Sequence, residues 1–234
     1  MKTFKCRKFK GKEYCIKINL EGHLLTIRIL LVRHGETEWN RIHRFQGRSD
    51  LPLNQTGKEQ AHALALALKN ESFEAAYSSP LTRAMETARA ITAFHPSAPI
   101  FEEKGLIEMD LGDFDGMEAQ KWAAQYPDLR KTWQATPSKI TMPGGESLIE
   151  VQARAVDAVD RLTESHPPGS TLLFSSHNFV NMTILSYATK THLDQFRTLR
   201  QGTAAFNVLI KDGEDLRAEV INERSHLEKQ KVSP

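Results

Sequence analysis

Arginine and histidine side chains follow several apolar stretches of this sequence, and together these residue types can carry out phosphoryl transfer. Arg33 and His34 come directly after one apolar run, and His177 comes after another. Arg83 lies in the first turn of a predicted helix after a third run. Two guanidinium groups can bind a phosphoryl group bidentately and neutralise its charge. A neutral imidazole can attack phosphorus, and a second, protonated imidazole would stabilise the charge that develops on the equatorial oxygens.

A carboxyl group at Glu108 could complete this chemistry by protonating a leaving alcohol and then activating water. Gly35 would let the backbone approach a phosphate closely, because glycine has no Cβ atom. Each residue taken alone is more often a surface or structural residue, and Glu108 lies in an acidic stretch that is typical of a solvated loop. The interpretation therefore depends on five residues meeting at one place. These are Arg33, His34, Arg83, Glu108 and His177.

The elements that would position these residues alternate between strand and helix from residue 28 onward. Short apolar runs predict three buried strands, and two later segments also have strand character. The predicted strands are residues 29–32, 73–77, 171–175, 204–210 and 216–221. Such alternation predicts an α/β fold, with three layers (α/β/α) around a mostly parallel twisted sheet. Ligands of such folds bind beyond the carboxyl ends of the strands, so the residues that follow the first three strands should converge.

Capping residues mark the predicted helix starts. Thr56 and Ser147 each stand three residues before a glutamate, which is the spacing of a capping box. Ser79 precedes a proline suited to a first helical turn and is a candidate N-cap. The resulting helices extend to about residue 69, to about residue 93 and past residue 162, and another helix begins at about Phe179.

Composition and charge exclude several classes of protein. The chain has 234 residues, with 31 Lys and Arg against 29 Asp and Glu, so a collagen, a disordered chain or a disulfide scaffold is not expected. Eight basic and two acidic residues lie within residues 1–28, and the remainder is slightly acidic, which does not favour nucleic-acid binding. No apolar run approaches the roughly 18 residues of a membrane span, and no signal-peptide pattern follows the basic start. We therefore expect a cytoplasmic protein without a membrane partner.

Two cysteines, Cys6 and Cys15, have no zinc-ligand spacing, so no metal site is expected. We divide the chain into a basic extension at 1–26, a main domain at 27–224 and a tail at 225–234. An insertion at about 109–143 would form a lid or cap. Apolar and polar residues alternate over short stretches of the extension. This pattern is compatible with a β-hairpin added to the sheet or to a partner subunit, and so with a homodimer. A flexible tail or translated upstream sequence is the alternative.

The segment around Arg33-His34-Gly35 resembles the Arg-His-Gly signature of the histidine phosphatase superfamily, which includes phosphoglycerate mutases and acid phosphatases. Further stretches match the family pattern in order, so the resemblance spans roughly residues 28–210. They are Trp39-Asn40, residues 45–53 with Thr56-Gly57, residues 78–84 with Thr87-Ala88, residues 144–147, and Ser175-Ser176-His177.

The resemblance implies a phosphoglycerate mutase-like fold and a role for each matching residue. His34 would be the nucleophile that becomes phosphohistidine, and Glu108 the proton donor. The phosphate pocket would consist of Arg33, Arg83 and His177, with Asn40 and the backbone of Gln46 and Gly47 at its rim. Asn178 stands where the family usually has glycine. The contact that the backbone makes at this position of the phosphate pocket could survive, since asparagine tolerates unusual backbone angles. Alternatively, the asparagine side chain could narrow the pocket.

Within the family, the sequence favours a phosphatase over a mutase. The mutases carry Arg-His-Tyr after the acidic residue, whereas here Met109-Asp110-Leu111 supplies no cation. Residues 45–50 resemble the small bacterial phosphatases. We therefore expect a metal-independent phosphomonoesterase that acts through phosphohistidine on a small phosphorylated metabolite and needs no cofactor. The alternatives are a cofactor-dependent phosphoglycerate mutase and a non-catalytic phospholigand-binding relative.

The resemblance implies three candidate substrates: α-ribazole phosphate, sugar phosphates and phosphoglycerates. The acids Asp110, Asp113 and Asp115 predict a substrate with little negative charge beyond its phosphate, because they would repel a second anion.

Overall fold

The computed structural model describes the backbone of residues 3–9, 12–18 and 26–228, and the side chains of residues 26–228. Its eight strands are β1 (Thr3–Phe9), β2 (Lys12–Ile18), β3 (Ile27–Arg33), β4 (Ala75–Ser78), β5 (Ile100–Glu102), β6 (Thr171–Ser176), β7 (Phe206–Asp212) and β8 (Asp215–Glu223). The α-helices are α1 (Glu38–Arg41), α2 (Gln55–Leu68), α3 (Thr82–Thr92), α4 (Ala119–Gln125), α5 (Pro127–Ala135), α6 (Leu148–Glu164), α7 (Asn178–Thr189) and α8 (Ser225–Glu228).

A six-stranded sheet with the order β5-β4-β6-β3-β7-β8 forms the centre of the body. The first four strands in that order run parallel, while β7 and β8 are antiparallel to their neighbours. Successive residues of β3 point to opposite faces, so Ile29 and Leu31 pack in one core and Leu30 and Val32 in the other. Helices α6 and α7 cover the first face, and α2 and α3 cover the second. The predicted three-layer α/β fold with a mostly parallel sheet is confirmed.

The helix starts confirm one predicted cap and correct two. Ser147 forms the predicted capping box with Glu150 at the start of α6. Helix α2 instead begins after Asn54, whose side chain accepts a hydrogen bond from the Gly57 N–H at 2.8 Å, so Thr56 is an interior residue. Ser79 does not cap α3, which begins three residues later. In α2 a neighbouring residue that can also cap takes the place of Thr56, whereas the start of α3 is capped by Asp50 from a distant segment.

The strand boundaries differ from the prediction by a few residues. Strand β4 begins two residues later than predicted, and β7 begins at Phe206 because Ala204 adopts a positive φ of 51°. Strand β5 was not predicted, since it has only three residues, all partly or fully exposed, and therefore lacks a clear apolar pattern.

The segment 109–143 contains two short α-helices and two 3₁₀ turns. Its apolar residues Met109, Leu111, Phe114 and Trp122 are buried in the core shared with α6 and α7, whereas α5 has no buried residue. The first part of this segment is thus built into the body, and α5 lies at its surface.

The two ends of the chain are described only in part. Strands β1 and β2 pair antiparallel within the basic extension, and the rest of that segment, apart from Thr26, lies outside the described residues. Residues 225–228 form α8, which contacts α2, and residues 229–234 also lie outside the described part. No helix among the described residues is both long and apolar enough to span a membrane.

Candidate active site

The carboxyl ends of β3, β4 and β6 bring the predicted residues to one edge of the sheet. The N–H of His34 donates to the carbonyl of Ser176 at 3.1 Å, and the N–H of Ser79 donates to the carbonyl of Ser175 at 2.9 Å. These bonds join the ends of all three strands. The ring centroids of His34 and His177 are 5.1 Å apart as a result.

His34 is buried and is held in one tautomer. Its Nδ1 atom lies 2.7 Å from the carbonyl oxygen of Gly35, and because a carbonyl can only accept, Nδ1 carries the proton. Burial, followed by the charges of Arg83 and Arg33, lowers the pKa of His34 well below its ordinary value near 6.5. The neutral ring therefore leaves the lone pair of Nε2 available for attack.

His177 has the opposite tautomer. The Nε–H of Arg83 donates to its Nδ1 atom at 3.2 Å, so the proton of the neutral ring is on Nε2, 2.7 Å from the Ser79 hydroxyl oxygen. Burial and then Arg83 lower the pKa of His177 well below its ordinary value. Burial beside a guanidinium thus favours the neutral ring, because a buried cation would lose its hydration there. That a protonated His177 stabilises phosphoryl oxygens during transfer stays a prediction.

Arg83 is fully buried and connects His177 to a loop. Its Nη groups donate to the carbonyls of Ser49 at 2.8 Å and Gly47 at 2.7 Å. Burial lowers its pKa to about 10, with Glu108 opposing the shift, so the group stays charged at neutral pH. Three of its five N–H groups have partners here, and the other two have none among the hydrogen bonds of the described residues.

Two buried donors face the site without a partner among the described residues. Arg33 donates through Nη1 to the carbonyl of Gln201 at 2.5 Å, while its Nε has no acceptor. Gln46 accepts a hydrogen bond from the Thr37 hydroxyl through Oε1 at 2.6 Å, and its buried Nε2 amide has no acceptor. Burying an unpaired N–H is costly, so both groups fit an anion that arrives with the ligand.

Glu108 is buried, and its carboxyl oxygens accept the N–H groups of Met109 at 2.9 Å and Phe179 at 3.3 Å. Burial raises its pKa, while these hydrogen bonds and Arg83 oppose the shift. A carboxyl group with a raised pKa can act as a general acid closer to neutral pH.

A cavity of about 610 Å³ opens at this edge, and its wall includes six of the predicted site residues. They are Arg33, His34, Asn40, Gln46, Glu108 and Asn178. Arg83 and His177 are not in the wall but are buried next to His34. A phosphoryl oxygen that binds His177 would therefore have to replace the Ser79 hydroxyl as partner of Nε2.

Gly47 does not line the cavity. Its N–H donates to Asp115 at 2.9 Å, and its carbonyl accepts from Arg83. The backbone groups that were predicted to lie at the rim of the phosphate pocket therefore already have partners within the protein. A Cβ at this position would lie 2.8 Å from the carbonyl oxygen of Met109, which explains the glycine.

Asn178 is the first residue of α7 and has no positive φ, so its backbone is ordinary. Its side-chain oxygen accepts weakly from the Gln201 N–H at 3.4 Å.

The acids Asp110, Asp113 and Asp115 lie outside the cavity wall, so the predicted repulsion of a second anion gains no support from their position. The carboxylate of Asp115 accepts the N–H groups of Gly47 and Ser49, and Asp110 forms an ion pair with Arg48 at 3.1 Å. Asp113 is exposed. Asp110 and Asp115 thus stabilise loops next to the cavity.

Residues 29–224 match the sequence profile of the histidine phosphatase superfamily (branch 1). This match extends over most of the chain and includes every residue of the site.

The chain belongs to the histidine phosphatase superfamily.

Individual members of this superfamily resemble it over most of their length. Phosphoserine phosphatase 1 of Hydrogenobacter thermophilus is 32% identical over 183 residues, which are 78% of this chain and 86% of that protein. Phosphoglycerate mutase-like protein 4 of Arabidopsis thaliana is 31% identical over 202 residues, 86% of each. The solved structure of mycobacterial glucosyl-3-phosphoglycerate phosphatase has a TM-score of 0.76 at 26% identity and covers 84% of this chain and 99% of that one. The protein is accordingly a phosphatase of the histidine phosphatase family.

Several residues of this histidine phosphatase site were not predicted as functional. Ser79 was expected at the convergence of the strand ends and as a helix cap, but no contact with His177 was predicted for it. Gln201 fixes Arg33, and Thr87 accepts the N–H of Gly35 at 3.2 Å. Ser79 and Thr87 lie in stretches that match the family pattern, so a signal existed, whereas nothing near Gln201 in the sequence indicates its role.

Among residues 26–228, no group of three or more His, Cys, Asp or Glu side chains is placed to hold a metal ion. The cationic groups near His34 in this part of the chain are guanidinium groups.

Proposed function

We propose that this protein is a metal-independent phosphomonoesterase that transfers the phosphoryl group of a small phosphorylated metabolite to Nε2 of His34 and then to water. One observation carries the proposal. The Nδ1–H of His34 is bonded to the Gly35 carbonyl, which leaves the opposite nitrogen unprotonated in a cavity with unpartnered N–H donors.

In the first step, Nε2 of His34 attacks phosphorus and the bond between phosphorus and the ester oxygen breaks. Glu108 gives its proton to the leaving alcohol. Arg33, the Gln46 amide and the free N–H groups of Arg83 balance the charge of the phosphoryl oxygens.

In the second step, the Glu108 carboxylate takes a proton from water, and the oxygen of that water attacks phosphorus. The phosphorus–nitrogen bond breaks, inorganic phosphate leaves, and His34 returns to its neutral form with Nδ1 still protonated. The proton balance closes, because Glu108 regains in this step the proton that it lost in the first.

The position after Glu108 supports hydrolysis over mutase chemistry. Met109 is fully buried and Asp110 is paired with Arg48, so neither holds a substrate carboxylate next to the phosphoryl group. A mutase would interconvert phosphoglycerates when primed by the bisphosphate, and product analysis distinguishes that outcome from release of free phosphate.

The test uses p-nitrophenyl phosphate with a metal chelator present. We expect release of phosphate by the wild-type protein and a loss of about a thousandfold or more in His34→Ala, because the nucleophile is gone. Brief incubation with a ³²P-labelled ester and quenching in alkali, which preserves phosphohistidine, should label the wild-type protein alone.

The matched control is His62→Ala, an exposed histidine of α2, which should retain wild-type turnover and labelling. Turnover that survives in His34→Ala would contradict the proposed mechanism. Tight binding of phosphate without turnover or labelling would instead indicate a non-catalytic phospholigand-binding protein.

A further inference from the structure

The cavity wall carries guanidinium groups in addition to that of Arg33. They belong to Arg44, Arg197 and Arg200, and the acids in the wall are Glu36 and Glu108. Arg44 forms an ion pair with Glu118 at 3.3 Å, and Glu36 accepts a hydrogen bond from Asn54 at 2.8 Å. Arg197 and Arg200 lie on the wall formed by the segment after α7.

Arg197 and Arg200 come from the 3₁₀ helix Leu193–Leu199 and the residue that follows it. Side chains three residues apart are eclipsed on a 3₁₀ helix, so both arginines lie on one face of this segment. Phe196 and Leu199, at the preceding positions, have the same spacing and are buried. The apolar pair anchors the segment, and the arginine pair is presented to the cavity.

The guanidinium of Arg197 is fixed before any ligand binds. Its Nη2 donates to the carbonyl of Trp133 at 2.8 Å, and its Cζ lies 5.2 Å from the Trp133 ring centroid and 4.9 Å from that of Phe196. The residue is exposed overall, but desolvation of its guanidinium by these neighbours lowers its pKa. A cation that is held and partly desolvated in this way is suited to bind an anion.

Arg200 has no ion-pair partner among the described residues. It lies close enough to Arg33 for the two positive charges to interact. Its charge, with that of Arg224, contributes to lowering the pKa of Arg33. Positive charges that lie close together and are not balanced by the protein favour the binding of an anion between them.

We propose that Arg197 and Arg200 form a second anion subsite, and that the substrate is a phosphomonoester with a further anionic oxygen group, a carboxylate or a second phosphate. This inference rests on the proposed function, since it assumes that the first phosphoryl group lies at His34. The rings of Trp133, Phe179 and Phe196 line the same wall and would contact the body of the substrate next to these arginines.

The test compares substrates that differ in the second anion alone. The pair 3-phosphoglycerate and glycerol 3-phosphate tests a carboxylate, and the pair fructose 1,6-bisphosphate and fructose 6-phosphate tests a second phosphate. In the wild-type protein we expect kcat/KM to be at least about tenfold higher for the doubly anionic member of one pair, which identifies the anion. A hydrogen-bonded charge contributes a discrimination of this order.

Arg200→Gln should lower that preference about tenfold, and Arg200→Lys should retain part of it, because the charge remains. Arg197→Lys is the second variant, and it should reduce the preference as well. The matched control is Arg130→Gln, an exposed arginine of α5 outside the cavity wall, which should keep the wild-type preference.

The inference is overturned if neither pair shows a preference, or if Arg200→Gln lowers kcat/KM equally for both members of a pair. Either result would leave hydrolysis at His34 intact. If the wild-type protein releases no phosphate from any of the four substrates or from p-nitrophenyl phosphate, the proposed function fails instead.

Discussion

At the scale of single residues, two neighbouring imidazoles are set in opposite tautomers by their hydrogen-bond partners. The carbonyl of Gly35 can only accept and fixes the proton of His34 on Nδ1, whereas the Arg83 N–H can only donate and fixes the proton of His177 on Nε2. The two rings therefore have different capacities: His34 presents a lone pair, and His177 presents a donor.

Opposite pKa shifts at His34 and Glu108 predict a bell-shaped pH profile. His34 must be neutral, so activity falls as pH drops through its pKa, which lies well below 6.5. Glu108 must be protonated, so activity falls as pH rises through its pKa, which burial raises above 4.5. We expect the profile of kcat/KM to have its maximum on the acid side, and Glu108→Gln to abolish the basic limb, because an amide does not titrate there.

The same variant should lower turnover of an alkyl phosphate by about 10²- to 10⁴-fold, the usual contribution of a general acid. p-Nitrophenyl phosphate should be affected less, since its leaving group needs no proton. Stopped assays across the pH range measure both effects, with the exposed Glu74→Gln as the matched control. A basic limb that is unchanged in Glu108→Gln would show that another group is the acid.

At the scale of elements, the loop 47–50 and helix α3 position each other. Asp50 accepts the N–H and the hydroxyl of Thr82 at 2.7 and 2.8 Å, and so caps α3, which has no cap from its own N-cap residue. In return, Arg83 of α3 binds two carbonyls of the loop. Asp115 completes the arrangement, because its carboxylate accepts the N–H groups of Gly47 and Ser49 at 2.9 and 2.8 Å.

Replacement of Asp115 should therefore weaken both stability and catalysis, although this residue does not line the cavity. In Asp115→Ala, two backbone N–H groups lose their acceptor, and we expect the free energy of unfolding to fall by about 1–3 kcal/mol. Without these two bonds the loop would shift, and the carbonyls of Gly47 and Ser49 would move Arg83 with them. We therefore expect kcat/KM to fall by about tenfold. Urea denaturation and steady-state kinetics measure the two effects.

Asp113→Ala is the control for this experiment, because Asp113 lies in the same acidic stretch and is exposed. It should change neither quantity appreciably. If Asp115→Ala turns over substrate as the wild-type protein does, the loop does not control the position of Arg83.

Another contact between elements explains two glycines of the family pattern. A Cβ atom at Gly35 would lie 2.4 Å from the carbonyl oxygen of Gly57, and one at Gly57 would lie 2.0 Å from that of Glu36. The residues after β3 thus pack directly on the first turn of α2. This close approach places the Gly35 carbonyl where it can hold His34.

At the scale of the whole molecule, the two buried histidines of the site should lower the free energy of unfolding in acid. His34 and His177 are buried neutral, and their pKa values in the folded protein lie below those in the unfolded chain. Below pH 6.5 the unfolded chain binds protons that the folded protein does not, so stability is lost as pH falls. Between about pH 7 and pH 5.5 each histidine should lower the free energy of unfolding by about 1 kcal/mol.

Urea denaturation at the two pH values tests this expectation in the wild-type protein and in the double variant His34→Asn/His177→Asn. The pH dependence should be smaller by about 2 kcal/mol in the double variant, whatever its absolute stability. Glu108 should increase stability as pH falls, since its pKa is raised in the folded protein. It is present in the wild-type protein and in the double variant, so its effect cancels in the comparison. His62→Asn should retain the wild-type dependence, and an equal dependence in all three proteins would show that neither buried histidine is responsible.

The sequence alone determined the features that depend on near neighbours along the chain. The apolar runs of β3 and β6, the Ser147 capping box and the residues His34, Arg83, Glu108 and His177 were all predicted, because periodicity, capping and family motifs extend over a few residues. The order of elements also predicted that strand ends meet at one edge. The structure confirmed the α/β fold, and the described site contains each of those residues.

Only the tertiary structure decided the features that arise from contacts between distant segments. Arg33 is fixed by the carbonyl of a residue 168 positions away, and Asp115 binds a loop 68 positions before it. The lowered pKa of His177 was not predicted, because desolvation and the neighbouring guanidinium depend on packing. Arg197 and Arg200 carry no motif, and they join the cavity because their 3₁₀ segment packs through Phe196 against the core. Sequence thus specifies which groups are available, and packing specifies their charge state and partners.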